Sequence, residues 1–230
     1  TGPFAFEGKH FHIPYVNLWP RPFQQPHPPI WCPSQGSLET IEWAAHPDRK
    51  FVYLQNYSPR ESVGRYLDMY RKAARNFGYE AASDRIGWGA PVYVGETDEQ
   101  AVNDARPHIE ALFNVLLPKA SELMFFPPGY MSPESLTHIL KHKKANSGGV
   151  TIESLIERGI IVVGSPDTVR RKITENHRDM GFGELVVMLT FGTMPAAMSE
   201  ANIRRFAREV MPALQPLSDR EYRGFEPALA

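Results

Sequence analysis

The feature that most constrains this chain is an alternation: a short apolar run, a helix-start signal and a one-faced helical repeat follow one another four times. Ile30-Trp31-Cys32 precedes a helix opened by Ser37-Leu38-Glu39-Thr40 and reaching about Ala45. Phe51-Val52-Tyr53-Leu54 precedes Ser58-Pro59-Arg60-Glu61, where Ser at the cap, Pro at the first helical position and Glu at the third satisfy orphan amides. Val63, Tyr66, Leu67, Tyr70, Ala74 and Phe77 then recur at helical spacing until Gly78. Pro91-Val92-Tyr93-Val94 leads to a second capping box, Thr97-Asp98-Glu99-Gln100, and a helix through Ala101, Ala105, Ile109, Leu112 and Leu116 that Pro107 is expected to kink. Residues 118–149 break the rhythm as a long excursion, a class of segment that usually carries function. Ser165-Pro166 caps a helix with Val169, Ile173 and Met180 inward, Leu185 to Thr190 form the last strand, and Ile203, Phe206, Val210 and Leu214 mark a closing helix. Strands alternating with helices predict an α/β fold of right-handed βαβ units on a parallel sheet, either doubly wound or half of an eight-stranded barrel. We read 1–230 as one domain.

Before the first unit the chain is extended. Pro14, Pro20, Pro22, Pro26, Pro28 and Pro29 exclude helix, and Phe11, Ile13, Trp19 and Phe23 between them predict an apolar strap on a core in preference to a linker.

Charge narrows the partners. Lys plus Arg is 25 against Asp plus Glu at 26, so no field of one sign exists to hold nucleic acid or an anionic membrane, and a small molecule is the expected ligand. No run approaches the roughly 20 apolar residues of a membrane span. The one cysteine, Cys32, reads as a small buried hydrophobe in a reducing cytoplasm.

The chemistry concentrates at Pro33-Ser34-Gln35-Gly36-Ser37-Leu38-Glu39-Thr40, which leaves a strand and enters a helix. Helix N-termini attract anions because unpaired N–H groups converge there. Gly36 permits close approach, and Ser37 and Thr40 could both reach one phosphate; a plain cap satisfies the same pattern. Gly164-Ser165-Pro166-Asp167 offers a second anion site, but Ser at the cap with Pro at the first helical position favours a cap. His138 and His142 stand four apart, as zinc ligands do, but the lysines around them favour a solvated basic face, and no metal site is expected.

A resemblance now enters. Gln25-Pro26-His27-Pro28-Pro29-Ile30, Ser37-Leu38-Glu39-Thr40 and Glu42-Trp43-Ala44-Ala45, followed in order by Phe126-Pro127-Pro128-Gly129, Val163-Gly164-Ser165-Pro166, Phe191-Gly192-Thr193-Met194-Pro195 and Phe206-Ala207-Arg208-Glu209-Val210, resemble the C-terminal half of the bacterial luciferase-like flavin-dependent monooxygenases. The resemblance implies the second half, strands five to eight, of a TIM-type (β/α)8 barrel, with 118–149 as a helical lid that excludes water. It implies FMN, reduced by a separate reductase, as cofactor, with Ser37 and Thr40 on its phosphate; anion-site physics adds the Gly36 and Ser37 amides. The implied reaction uses dioxygen to oxidise an organic substrate such as an aldehyde. A deazaflavin-dependent oxidoreductase and a non-catalytic flavin-binding subunit are the alternatives. The catalytic residues are expected in an N-terminal half that another stretch of polypeptide or a partner subunit supplies, in an oligomer.

Overall fold

The structure, a computed structural model, describes residues 2–25, 27–117 and 149–217. Contacts divide the chain into a unit spanning 1–30 and a larger one from Trp31 onward, where the sequence reading takes 1–230 as one. In the small unit, β1 (Phe4–Glu7) and β2 (His12–Val16) pair antiparallel, closed by the Gly8 amide on the Phe11 carbonyl at 2.9 Å. The strap expectation misses this hairpin. Phe11, Trp19 and Phe23 are 69%, 79% and 98% exposed.

The larger unit is built on a parallel sheet. The strands β3 (Trp31–Ser34), β4 (Val52–Asn56) and β5 (Ile86–Val94) lie side by side in chain order, and β7 (Glu184–Met188) pairs the far side of β5. The alternation predicts the parallel pairing and leaves the strand order open; chain order is what the resemblance to a barrel's second half implies. The sequence reading lacks the three-residue β6 (Val162–Gly164), which joins β5 at Val92–Val94 and forks the sheet. It also starts β5 too late, at Pro91, because Gly87 and Gly89 weaken the strand pattern. Those glycines serve packing. A Cβ on Gly87 would lie 3.0 Å from a Leu54 methyl carbon and 3.1 Å from the Trp31 ring.

One face of the sheet is covered by α1 (Leu38–Ala45), α2 (Arg60–Asn76) and α5 (Pro166–Met180), with Tyr53, Trp88, Val92 and Val94 meeting Ile41, Leu67, Tyr70 and Ile173 in the main core. A second core gathers at the carboxyl ends of the strands. There Tyr93, Val163 and Phe191 pack on α3 (Asp98–Ala111) and on α4 (Ile152–Glu157), which the sequence reading also lacks. α6 (Ala196–Arg205) is tied to the sheet by buried Asn202, whose amide bonds Val92, Val94 and Leu189 main-chain groups at 2.9 Å each. A wider turn, Phe206–Val210, connects it to α7 (Met211–Leu214).

The caps follow sequence chemistry with one shift. Ser37, Thr97 and Ser165 accept from the amides three residues on. α2 begins one residue later than expected, with Pro59 at the cap, while the Ser58 hydroxyl donates to the Asn56 carbonyl. At the other end of α5, Gly181 takes φ 65° and buried Arg71 donates to the carbonyls of Met180 and Gly181. No helix among the described residues is long and apolar enough to cross a membrane.

Candidate functional site

The turn between β3 and α1 brings its hydroxyls together. Ser37 Oγ donates to Thr40 Oγ1 at 2.7 Å and accepts from the Thr40 amide at 3.2 Å, which leaves the Thr40 proton free to point outward. The amides of Leu38 and Glu39, at the first two helical positions, have no carbonyl inside the helix to pair with. Gly36 differs from its expected role. Its amide is engaged by Ser34 Oγ at 3.0 Å, so it shapes the turn and is not a free donor. It has φ 94°, and a Cβ there would meet the Tyr66 ring at 2.2 Å. The ring closes the turn from below.

A cation stands beside that ring. Arg65 lies over Tyr66, 5.1 Å from the ring centre, and donates to its hydroxyl at 3.4 Å; among the described residues it has no carboxylate partner. Two convergent hydroxyls, two helix-start amides and a guanidinium without a carboxylate partner among the described residues are donors of the kind a phosphate monoester takes. In the sequence Tyr66 reads as an ordinary member of the helical repeat, and nothing marks Arg65.

The other strand ends form a second patch. Tyr57, just past β4, holds a left-handed backbone with φ 52°, an uncommon state for a bulky residue. Its hydroxyl donates to Met188 Sδ at 3.5 Å, and its ring meets Phe113 edge-on at 6.1 Å. Burial raises the Tyr57 hydroxyl pKa, so it stays a neutral donor. His108, in the last turn of α3, comes within 2.8 Å of the Thr193 hydroxyl in the loop after β7. Close packing holds the two together: a Cβ on Gly192 would fall 1.9 Å from the His108 carbonyl oxygen.

Other candidates resolve as structural. The start of α5 is filled by the chain's own anion, since Asp98 accepts from the Ser165 amide at 2.6 Å and the Thr168 hydroxyl at 2.9 Å. These bonds, led by the one from the Ser165 amide, hold its carboxyl below the usual range. Burial pushes the half-buried Cys32 thiol up, away from the reactive thiolate. His138, His142 and the lid expectation at 118–149 lie, but for Gly149, outside the described residues.

Comparison with known proteins agrees with this architecture. The chain is 24% identical over 211 residues to protein y4wF of Sinorhizobium fredii, covering 91% of this chain and 56% of that protein. Its fold is similar to a monooxygenase from Streptomyces bottropensis, with TM-score 0.61 and 22% identity over 92% of this chain and 56% of that one. It is also similar to the oxygenating constituent of 3,6-diketocamphane monooxygenase of Pseudomonas putida in complex with FMN, with TM-score 0.60 and 21% identity over 92% and 58%. A coenzyme F420-dependent tetrahydromethanopterin reductase from Methanopyrus kandleri matches at TM-score 0.58 and 18% identity over 93% and 58%. The chain thus spans a little over half the length of these relatives. The profile of the luciferase-like monooxygenases matches residues 1–183, and the chain belongs to that family.

Proposed function

We propose that this chain is the phosphate-binding half of an FMN-dependent monooxygenase, corresponding to strands five to eight of the family barrel. The observation that carries the proposal is the convergence of Ser37 and Thr40, 2.7 Å apart, at the start of α1. Ser37 and Thr40 would hold the flavin phosphate through their hydroxyls, with the Leu38 and Glu39 amides and Arg65 as further donors. FMN, once bound and reduced by a separate reductase, supplies the reaction with dioxygen that oxidises an organic substrate. What the chain adds at the strand ends is a wall: Tyr57, Phe113 and Met188 present soft apolar surface that favours an apolar substrate and keeps water out.

The residues facing the flavin ring, the catalytic base among them, belong in this reading to four further βα units, supplied by another stretch of polypeptide or a partner subunit. In support, β3 and β7 each have one partnered edge among the described residues, and Val186 on β7 is 43% exposed. Parallel strands with open edges seek a partner. The free thiol of Cys32 suits the cytoplasm.

Titration with FMN and riboflavin tests the phosphate site: FMN is expected to bind tighter, and equal affinities reject it. The fold shared with the F420-dependent reductase supports a deazaflavin as the second reading. Turnover that is indifferent to oxygen, in the protein completed with the missing units, selects that reading.

A further inference from the structure

Beneath the Gly36 turn, inside a core that is otherwise apolar, runs a line of three polar side chains. Tyr53 and Gln55 are 0% exposed and Ser34 8%. The register that sets Ser34 beside Gln55 and Cys32 beside Tyr53 brings the three together between β3 and β4. Gln55 Nε2 donates to the Tyr53 hydroxyl at 2.7 Å. The Ser34 side chain lies near enough to that hydroxyl to act on it electrostatically, and Ser34 Oγ receives the Gly36 amide at 3.0 Å.

The line carries a penalty. Gln55 Oε1 has no hydrogen-bond partner, and an aliphatic side chain would fill the same space without leaving a buried acceptor unpaired. Polarity at position 55 therefore answers to something other than stability. The line also has one terminus, the amide of Gly36, at a turn whose lower side is closed by the Tyr66 ring. Fixing that amide fixes where the chain leaves β3 and where Ser37 begins α1.

We infer that Gln55, Tyr53 and Ser34 are positioning residues: they hold the Gly36 turn so that the Ser37 and Thr40 hydroxyls meet a flavin phosphate already aligned. The inference rests on the proposed phosphate site. It extends that site two strands into the core, to residues that touch no ligand.

The test uses Tyr53→Phe, which keeps the ring stacked on Tyr70 at 5.0 Å and removes only the hydroxyl, alongside Gln55→Leu and Ser34→Ala. Two ligands are titrated, FMN and riboflavin, which differ by the phosphate. Each variant is expected to weaken FMN roughly five- to tenfold, the size of one or so lost neutral hydrogen bonds, with riboflavin unchanged within about twofold. Hydrogen exchange at the Gly36 amide, followed without ligand, is expected to accelerate in Tyr53→Phe and Ser34→Ala. Gln55→Leu is expected to melt no lower than the unaltered chain while still losing FMN affinity. An FMN preference that survives in Tyr53→Phe overturns the positioning role and leaves the phosphate site standing. Equal losses for both flavins also overturn it, since they report general damage. If the unaltered chain does not prefer FMN, the phosphate site fails and this inference falls with it. Should Tyr53→Phe not fold, Ser34→Ala and Gln55→Leu decide by the same readings.

Discussion

At Gly36 two constraints act on one atom. The left-handed φ of 94° disfavours any side chain, and the Tyr66 ring already occupies the place where one would go. The turn is therefore built before any ligand arrives. Replacing Ser37 and Thr40 together by alanine is expected to weaken FMN by roughly 1 to 3 kcal/mol, the range for losing hydrogen bonds to a charged group, with riboflavin as the control for the cap that the same change removes. An unaltered FMN dissociation constant counts against both hydroxyls. Arg65 acts through charge at longer range. Arg65→Gln is expected to lower FMN affinity at low salt and to flatten its salt dependence, because a partly exposed ion pair is screened by added electrolyte. If the slope of affinity against ionic strength stays the same, Arg65 has no part in the site. Ser37 and Thr40 were legible in the sequence because a cap and its partner are three residues apart. Arg65, Tyr66, Tyr53 and Tyr57 were not, since their roles come from contacts between elements that no local spacing announces.

Among the elements, helix starts were the most readable and short strands the least. The caps at Ser37, Thr97 and Ser165 form where Ser or Thr stands three residues before the amide it holds, whereas β6 offers three residues and no period to detect. Where sequence left α5's start as cap or anion site, the structure supplies Asp98 from α3, so one carboxylate couples two helices. Its pKa is depressed in the folded state, so its stabilisation is present at neutral pH and is lost as the pH falls through the folded value. Asp98→Ala is expected to lower the melting temperature at pH 7, and the gap from the unaltered chain is expected to close below the usual carboxylate range. A gap of constant size from pH 7 down to strongly acid solution would show that the charge contributes nothing.

For the molecule as a whole, the alternation gave a parallel sheet, while the fork at β5 and the separate small unit came from pairings it cannot encode. The unpartnered edges of β3 and β7 among the described residues set the expectation for activity. The purified 230-residue chain is expected to consume no oxygen with reduced FMN and an aldehyde beyond the uncatalysed rate, and joining four N-terminal βα units is expected to restore turnover. Substrate oxidation at an enzymatic rate by the chain alone would falsify the half-site reading, because residues assigned here to structure would then have to perform the chemistry.

The buried strand β5 has a further consequence, for the time course of folding. It pairs with β4 a few tens of residues earlier but takes β6 and β7 from roughly 70 to 100 positions later, so its last hydrogen bonds wait for long loops to close. Until then neither β6 nor β7 is there to pair, and an apolar ribbon nine residues long is partly bare. A chain emerging slowly from a ribosome spends that interval with its stickiest strand unpaired, which makes the stretch before Val162 the period of greatest risk of aggregation and of greatest need for a chaperone.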